Sequence, residues 1–85
     1  MDLPKNRFKA ALKEGRQQIG LWCSFPDSGV VEMLAGCGYD WMLLDTEHSA
    51  MGPVDTMPLM QAAAPYEVTT IVRPGWNNPV EIKKL

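Results

Sequence analysis

Cysteine is scarce in this 85-residue sequence: only Cys23 and Cys37 are present, fourteen positions apart and without a C-x-x-C pair. This spacing gives little support for a zinc site, and a disulfide is not expected in a reducing compartment. Free cysteines are among the most buried residue types, so we expect two small thiols packed in the interior.

Long apolar runs and clusters of basic residues are also missing. No stretch approaches the ~20 apolar residues of a bilayer-spanning helix, and residues 1–5 lack the apolar core of a signal peptide. The formal net charge is -2, and lysine and arginine are scattered along the chain, which argues against a nucleic-acid partner. We therefore expect a cytoplasmic protein that binds neither nucleic acid nor membranes.

What is present is a globular composition, with 46% hydrophobic and 21% charged residues. Local signals predict, in order, a helix capped by Asn6 and ended by Gly15, a strand at 19–23, a helix capped by Asp27 or Ser28 and ended by Gly38, a strand at 41–44, a helix from near Asp55 to Pro65, a strand at 68–72 and a helix capped by Asn78. The second helix is expected to bury a face made of Val30, Val31, Met33, Leu34 and Cys37. Pro53 or the first residues after it are expected to open the third helix. Pro58 is tolerated only in the first turn, which places the start of the regular helix near Asp55.

The alternation of strands and helices predicts an α/β fold with a parallel sheet. The strand starts lie about 22 to 27 residues apart, close to the ~30 residues of a β-α-β unit. Three parallel strands alone leave two unpaired edges and a half-covered apolar face. We therefore expect residues 1–85 to be one incomplete domain, an N-terminal helix plus the first three strand–helix units of a larger barrel.

Polar side chains follow the predicted strands at their carboxyl ends. Trp22 lies near the end of the first strand, Asp45, Glu47 and His48 follow the second, and Arg73 follows the third. In parallel α/β folds these ends meet at one rim, where catalytic groups are held by the strands. A histidine beside carboxylates can act as a general base, and an arginine can hold a carboxylate and stabilise an enolate. The pattern indicates proton transfer next to an anionic carbonyl substrate.

Structural interpretations of the same residues stay open on composition and spacing alone. His48 could be a solvated loop residue, and Arg73 could belong to a surface ion pair. Trp22 could be a core residue, and Glu47 could form a salt bridge with a neighbouring base.

Several stretches resemble one known family. They are Asn-Arg-Phe-Lys-Ala-Ala-Leu at 6–12, Ile-Gly-Leu-Trp at 19–22, Gly-Tyr-Asp-Trp at 38–41, Leu-Asp-Thr-Glu-His at 44–48, Ala-Pro-Tyr at 64–66 and Val-Arg-Pro at 72–74. In this order they resemble the N-terminal third of the HpcH/HpaI aldolases, class II pyruvate aldolases that include 4-hydroxy-2-oxoheptanedioate aldolase and 2-keto-3-deoxy-L-rhamnonate aldolase.

The resemblance implies a TIM-type (β/α)8 barrel, a hexamer in the family, that reversibly cleaves a 4-hydroxy-2-oxo acid to pyruvate and an aldehyde with a divalent metal, Mg2+, Mn2+ or Co2+. By position, His48 is the expected catalytic base and Arg73 the group that binds pyruvate and stabilises its enolate. Asp45 and Glu47 are expected to support His48 or metal-bound water, and Trp22 to shape the aldehyde side of the pocket.

The sequence departs from the family pattern at two points, and two alternative functions stay open. The family's metal-binding Glu and Asp come from later strands, so the ligands are expected outside this chain, and Thr46 replaces a glycine of some relatives without an expected effect on chemistry. A lyase acting on a CoA thioester or citryl group is one alternative. A non-catalytic α/β module that binds a small anion is the other.

Overall fold

The fold is an alternation of helices and parallel strands. A computed structural model describes residues 3–85. Its elements are α1 (Arg7–Lys13), β1 (Gly20–Cys23), α2 (Ser28–Ala35), β2 (Trp41–Asp45), α3 (Pro53–Ala63), β3 (Thr69–Arg73) and α4 (Pro79–Lys84). The strands form one parallel sheet in the order β1-β2-β3, which confirms the predicted α/β alternation. Within the described range, no helix has the length and apolar character that a membrane crossing needs.

The helix ends follow the local signals of the sequence. Asn6 and Asp27 each accept a hydrogen bond from the backbone N–H three residues later, at 2.9 and 3.1 Å, and Asn78 accepts one from two residues later at 2.9 Å. Gly15 and Gly38 follow the first two helices with φ of 72° and 95°, the left-handed region that favours glycine. The predicted caps are therefore confirmed, with Asp27 rather than Ser28 at the start of α2.

The expected opening of α3 at Pro53 or just after it is confirmed, whereas the expected place of Pro58 in the first turn, with the regular helix starting near Asp55, is wrong. The helix begins at Pro53 and carries Pro58 in its interior. A proline there removes one backbone hydrogen bond, to the carbonyl of Val54. Val54 and Pro58 are both exposed, so water can bind that carbonyl, while Leu59 and other side chains on the opposite face are buried. Packing of that face outweighs the local cost of the proline.

The predicted buried face of α2 is only partly right. Val31 and Ala35 are buried and Leu34 packs against the core, because positions i, i+3 and i+4 share one helix face. Val30 and Met33 are 36% and 63% exposed, and Cys37 is exposed while Cys23 is buried. The expectation of two interior thiols is therefore wrong for Cys37, which lies beyond the end of α2 rather than on its buried face.

The two faces of the sheet have different surroundings. Alternate strand residues point to the helix layer, and the core there contains Cys23, Val31, Ala35, Met42, Leu44, Met51, Leu59, Ala63 and Val68. The strand register puts Gly20, Trp22, Trp41, Leu43, Asp45, Thr69, Ile71 and Arg73 on the other face. At the amino ends of the strands, the ring of Phe8 from α1 lies 6.3 Å from that of Trp41. The candidate site lies on this second face, at the carboxyl ends.

Candidate active site

Asp45 and Arg73 lie opposite each other at the ends of β2 and β3. Their Cα atoms are register partners, and their side chains form a two-point ion pair. Arg73 Nε donates to Asp45 Oδ1 at 3.1 Å, and Arg73 Nη2 donates to Asp45 Oδ2 at 2.5 Å. The Asp45 side chain is only 2% exposed, whereas that of Arg73 is 32% exposed. The strands therefore hold a buried carboxylate under a guanidinium that still reaches the surface.

Three further donors converge on Asp45. The indole Nε1 of Trp22 donates to Oδ2 at 2.9 Å. The backbone N–H groups of Glu47 and His48 donate to Oδ1 at 2.8 and 3.0 Å. The carboxylate thus accepts five hydrogen bonds, and it orders the loop that carries Glu47 and His48.

The charge state of the pair follows from these contacts. The Arg73 guanidinium holds the pKa of Asp45 well below its usual range against the opposing effect of burial, and the hydrogen bonds from His48, Trp22 and Glu47 lower it further. In return, the Asp45 carboxylate raises the pKa of Arg73. Both groups stay charged at physiological pH, so Asp45 serves as a fixed anion and not as a proton acceptor.

Trp22 contacts both members of the pair. Besides its N–H bond to Asp45, its ring lies under the guanidinium, with Arg73 Cζ at 4.9 Å from the ring centroid. This distance is within the range of a cation–π interaction. Trp22 is 48% exposed, so it is not a core residue in the described part of the chain.

Glu47 links the guanidinium to the histidine. Its Oε1 lies 3.4 Å from Arg73 Nη1 and 3.3 Å from His48 Nε2. The His48 side chain is 71% exposed. Asp45 accepts a hydrogen bond from the backbone N–H of His48, whereas the imidazole of His48 is paired with Glu47. The structure therefore brings together all five residues that the sequence singled out, with Glu47 rather than Asp45 beside the imidazole.

Two hydroxyl residues that the sequence reasoning did not assign to the site hold the loop after β2. Thr46 Oγ1 donates to the carbonyl of Arg73 at 2.6 Å, and Thr46 N donates to the same oxygen at 3.1 Å. Ser49 Oγ donates to the carbonyl of Asp45 and accepts from Met51 N at 3.0 Å. Their position in the sequence could have predicted this role, because hydroxyl residues just past a strand often form hydrogen bonds with the backbone.

An open groove adjoins Arg73 and the loop between β3 and α4. It has a volume of about 410 Å3 and is lined by Glu47, Arg73, Pro74, Trp76, Asn77 and Ile82. Glu81 Oε1 of α4 accepts a hydrogen bond from Gly75 N at 3.2 Å, which fixes the loop between β3 and α4. The sequence reasoning assigned no role to Trp76, which is 76% exposed.

The described residues do not by themselves suit a divalent cation. Residues 3–85 contain no group of three or more His, Cys, Asp or Glu side chains that could hold one. The oxygens of Asp45 already accept five hydrogen bonds, and Glu47 Oε1 faces two cationic or N–H partners. These side chains therefore do not form a metal site on their own.

Comparison with curated proteins gives strong sequence similarity over the whole chain, although no family model matches it. The chain is 62% identical over 85 residues to the hydroxypyruvate/pyruvate aldolase of Sagittula stellata, covering 100% of the chain and 34% of that protein. It is 51% identical over 81 residues to the 4-hydroxy-2-oxo-heptane-1,7-dioate aldolase of Escherichia coli, covering 95% and 31%. The chain thus spans about a third of the length of the curated relatives it matches.

Solved structures agree with the sequence comparison. An HpcH/HpaI aldolase/citrate lyase family protein of Burkholderia cenocepacia superposes with a TM-score of 0.88 at 30% identity, covering 94% of the chain and 32% of that protein. The citrate synthase SbnG gives a TM-score of 0.68 at 35% identity, covering 76% and 26%. The expected fold, a portion of a TIM-type (β/α)8 barrel, is confirmed for the three parallel strands and the helices between them. Over about a third of their length, the chain is similar in sequence to proteins named as pyruvate aldolases and similar in fold to a protein of the HpcH/HpaI aldolase/citrate lyase family.

Proposed function

We propose that the protein containing this chain is a metal-dependent aldolase that reversibly cleaves a 4-hydroxy-2-oxo acid into pyruvate and an aldehyde. The observation that carries the proposal is the rim cluster, in which Arg73 is held by Asp45 and adjoins the Glu47–His48 pair. The names of the relatives, pyruvate aldolases and a 4-hydroxy-2-oxo acid aldolase, support the substrate class.

Arg73 has the donors that an oxo acid needs. A guanidinium carries five N–H groups, and Asp45 occupies one on Nε and one on Nη2. The remaining hydrogens lie on Nη1 and Nη2, on the partly exposed side of the group. We assign to them the binding of pyruvate oxygens and the stabilisation of the negative charge that develops when the enolate forms.

His48 supplies the base for bond cleavage. Its imidazole accepts the proton of the substrate's 4-hydroxyl, directly or through water. The bond between C3 and C4 then breaks, C4 becomes the aldehyde carbonyl, and the electron pair of the broken bond forms the pyruvate enolate. Proton return to C3 gives pyruvate, and aldol addition is the reverse. Glu47, whose Oε1 lies 3.3 Å from Nε2, orients the ring.

The charge of the cluster supports a requirement for a further cation. Asp45, Glu47 and Arg73 together carry a net negative formal charge, which does not favour an anionic oxo acid. A divalent metal, Mg2+, Mn2+ or Co2+, with ligands outside this chain, stays our prediction. When bound, such an ion polarises the keto oxygen and stabilises the enolate.

A lyase that acts on a CoA thioester or citryl group is the second candidate. The likeness to a protein titled citrate synthase, at 35% identity over 76% of the chain, favours it over the anion-binding module. The rim residues serve either reaction, because both break or form a carbon–carbon bond next to a carbonyl. Assays with citryl and CoA substrates alongside 4-hydroxy-2-oxo acids separate the two.

The predictions on assembly and location also stay proposals. We propose a homo-oligomer, a hexamer as the family resemblance implies, in the cytoplasm, without nucleic-acid or membrane partners. Apolar side chains on the helices, among them Met33, Val54 and Met57, are 63%, 87% and 62% exposed, and association of subunits can bury such side chains.

The testing experiment is pyruvate release from a 4-hydroxy-2-oxo acid by the full-length protein, with and without EDTA. We expect cleavage that EDTA abolishes and Mn2+ restores. An intact mass identifies the polypeptide assayed. Cleavage that persists after complete metal removal contradicts the metal-dependent class, and a full-length protein that cleaves none of the substrates contradicts the enzyme proposal.

A further inference from the structure

We propose that Trp22 is a positioning residue for Arg73, rather than only a wall of the pocket on the aldehyde side. The inference rests on the proposed function, in which Arg73 stabilises the pyruvate enolate. It assigns Trp22 to the enolate half of the reaction, and it gives the indole two separate tasks.

The first task is direct contact with the guanidinium. Arg73 Cζ lies over the Trp22 ring, 4.9 Å from its centroid. A planar cation over an aromatic face is attracted by the ring quadrupole and cannot tilt toward that side.

The second task is performed through the carboxylate. Trp22 Nε1 donates to Asp45 Oδ2 at 2.9 Å, the same oxygen that accepts Arg73 Nη2 at 2.5 Å. Asp45 Oδ1 is held separately by Arg73 Nε and by two backbone N–H groups. Without the indole N–H, no described group other than Arg73 holds Oδ2, and the carboxylate can rotate with the guanidinium.

The three side chains come from three neighbouring strands. Trp22 is on β1, Asp45 on β2 and Arg73 on β3, and the strand register puts them on the same face. The Asp45–Arg73 pair alone fixes the guanidinium in its own plane. The indole adds contacts from a third direction. These contacts fix the distance of the guanidinium plane from the ring and the tilt of that plane. Only tryptophan combines a large aromatic face with an N–H donor at this reach.

The two possible roles of Trp22 differ in their effect on one half of the reaction, the formation of the enolate from pyruvate. Enolate formation from pyruvate alone exchanges the methyl protons for deuterium in D2O and needs no aldehyde. A residue that only shapes the aldehyde side leaves this exchange unchanged. A residue that positions Arg73 slows it.

The first experiment measures pyruvate methyl deuteration by NMR with the full-length protein. Trp22→Phe keeps an aromatic face and removes the N–H, and we expect the exchange rate constant to fall about ten-fold with little change in KM for pyruvate. Trp22→Leu removes both contacts, and we expect a fall of about a hundred-fold, since small misplacements of a catalytic group have effects of this order. Phe25→Leu, two residues past the end of β1 and 38% exposed, is the matched control and should keep the wild-type rate.

The Arg73→Lys background shows whether Trp22 acts through the guanidinium. Lysine has neither the planar face nor the two-point geometry. In this background Trp22→Phe should lower the exchange rate less than about two-fold, because coupled residues are not additive. An equal ten-fold fall in both backgrounds overturns the inference, as does wild-type exchange in Trp22→Leu.

A second measurement does not depend on activity. In the wild-type protein the Arg73 Nε–H NMR signal should be shifted by the ring current of Trp22 and protected from exchange with water. Both properties should be lost in Trp22→Leu, and Trp22→Phe should retain part of the ring-current shift. An Arg73 signal unchanged in both variants overturns the positioning role. A wild-type protein without pyruvate exchange, but with these NMR effects, counts against the proposed function and leaves the positioning of Arg73 supported.

Discussion

Asp45 and Arg73 are partners in two respects: their Cα atoms pair in the register of β2 and β3, and their side chains form a two-point ion pair. A register shift by one residue would send one of the two side chains to the opposite face of the sheet. Formation of the sheet in its correct register therefore assembles the charged centre of the site, and damage to that pair should affect both chemistry and folding.

Asp45→Asn should lower kcat/KM about a hundred-fold or more. The amide has one acceptor oxygen in place of two, so its NH2 group must face donors in either orientation. At the Oδ1 position these are Arg73 Nε and the backbone N–H groups of Glu47 and His48, and at the Oδ2 position they are Arg73 Nη2 and Trp22 Nε1. Steady-state kinetics and thermal unfolding measure the effect, and the denaturation midpoint should fall as well. Asp27→Asn is the matched control, because it makes the same chemical change at an exposed helix cap where asparagine serves as well as aspartate. Wild-type activity in Asp45→Asn would contradict a role in holding Arg73.

The pH dependence of stability should carry the signature of Asp45. Its pKa is lowered in the folded protein, chiefly by Arg73, and an unfolded aspartate titrates near ~3.9. The folded state then binds the proton less readily than the unfolded state, so the contribution to stability is full above about pH 5 and declines as the pH falls. Urea unfolding from neutral to acidic pH measures this slope. The difference in stability between wild type and Asp45→Asn should be constant above about pH 5 and shrink in acid; a constant difference throughout would contradict the lowered pKa.

Thr46→Val should cost about 1 kcal/mol of stability, the typical net value of one hydrogen bond, with little effect on kcat. The substitution removes the hydroxyl that donates to the Arg73 carbonyl at 2.6 Å and keeps the backbone donor at 3.1 Å. Chemical denaturation gives the difference. Thr70→Val in β3 is the control, since no side-chain hydrogen bond of Thr70 is found among the described residues, and it should stay within about 0.5 kcal/mol of wild type. A large fall in kcat for Thr46→Val would show that the hydroxyl does more than order the loop.

The features that sequence reasoning predicted correctly are local ones. Asn6, Asp27 and Asn78 cap helices through contacts within three residues, and such contacts depend only on neighbouring sequence. The meeting of Asp45 and Arg73 at one rim also follows, because parallel strands align their carboxyl ends. The substrate class stays a proposal that rests on the family resemblance, because residue types and spacing alone do not specify it.

The features that escaped prediction depend on distant packing. Pro58 inside α3 is tolerated because the opposite helix face is buried, and Cys37 is exposed because of where α2 ends on the sheet. Trp22 looks like a core residue in sequence, since its neighbours are apolar. Its contacts with Asp45 and Arg73 arise from the register of three strands, because Trp22 and Asp45 are 23 positions apart in the sequence and Asp45 and Arg73 are 28 positions apart.

His48→Ala should lower kcat by about 10²- to 10⁴-fold, the usual contribution of a general base, while the free energy of unfolding stays within about 0.5 kcal/mol of wild type. The imidazole is 71% exposed, so its removal leaves no cavity. Alanine also keeps the backbone N–H that donates to Asp45 at 3.0 Å, so the loop stays ordered. Gln61→Ala, at an exposed position on α3, is the control for an alanine substitution outside the site. Pyruvate release measures activity, and chemical denaturation of the same variants measures stability. Retained kcat would contradict the base assignment, and a matching loss of stability would attribute the effect to the loop. Loss of turnover in a protein as stable as wild type would assign the chemistry to the imidazole. The alanine variant lacks only the imidazole and keeps the backbone contact of residue 48 with Asp45.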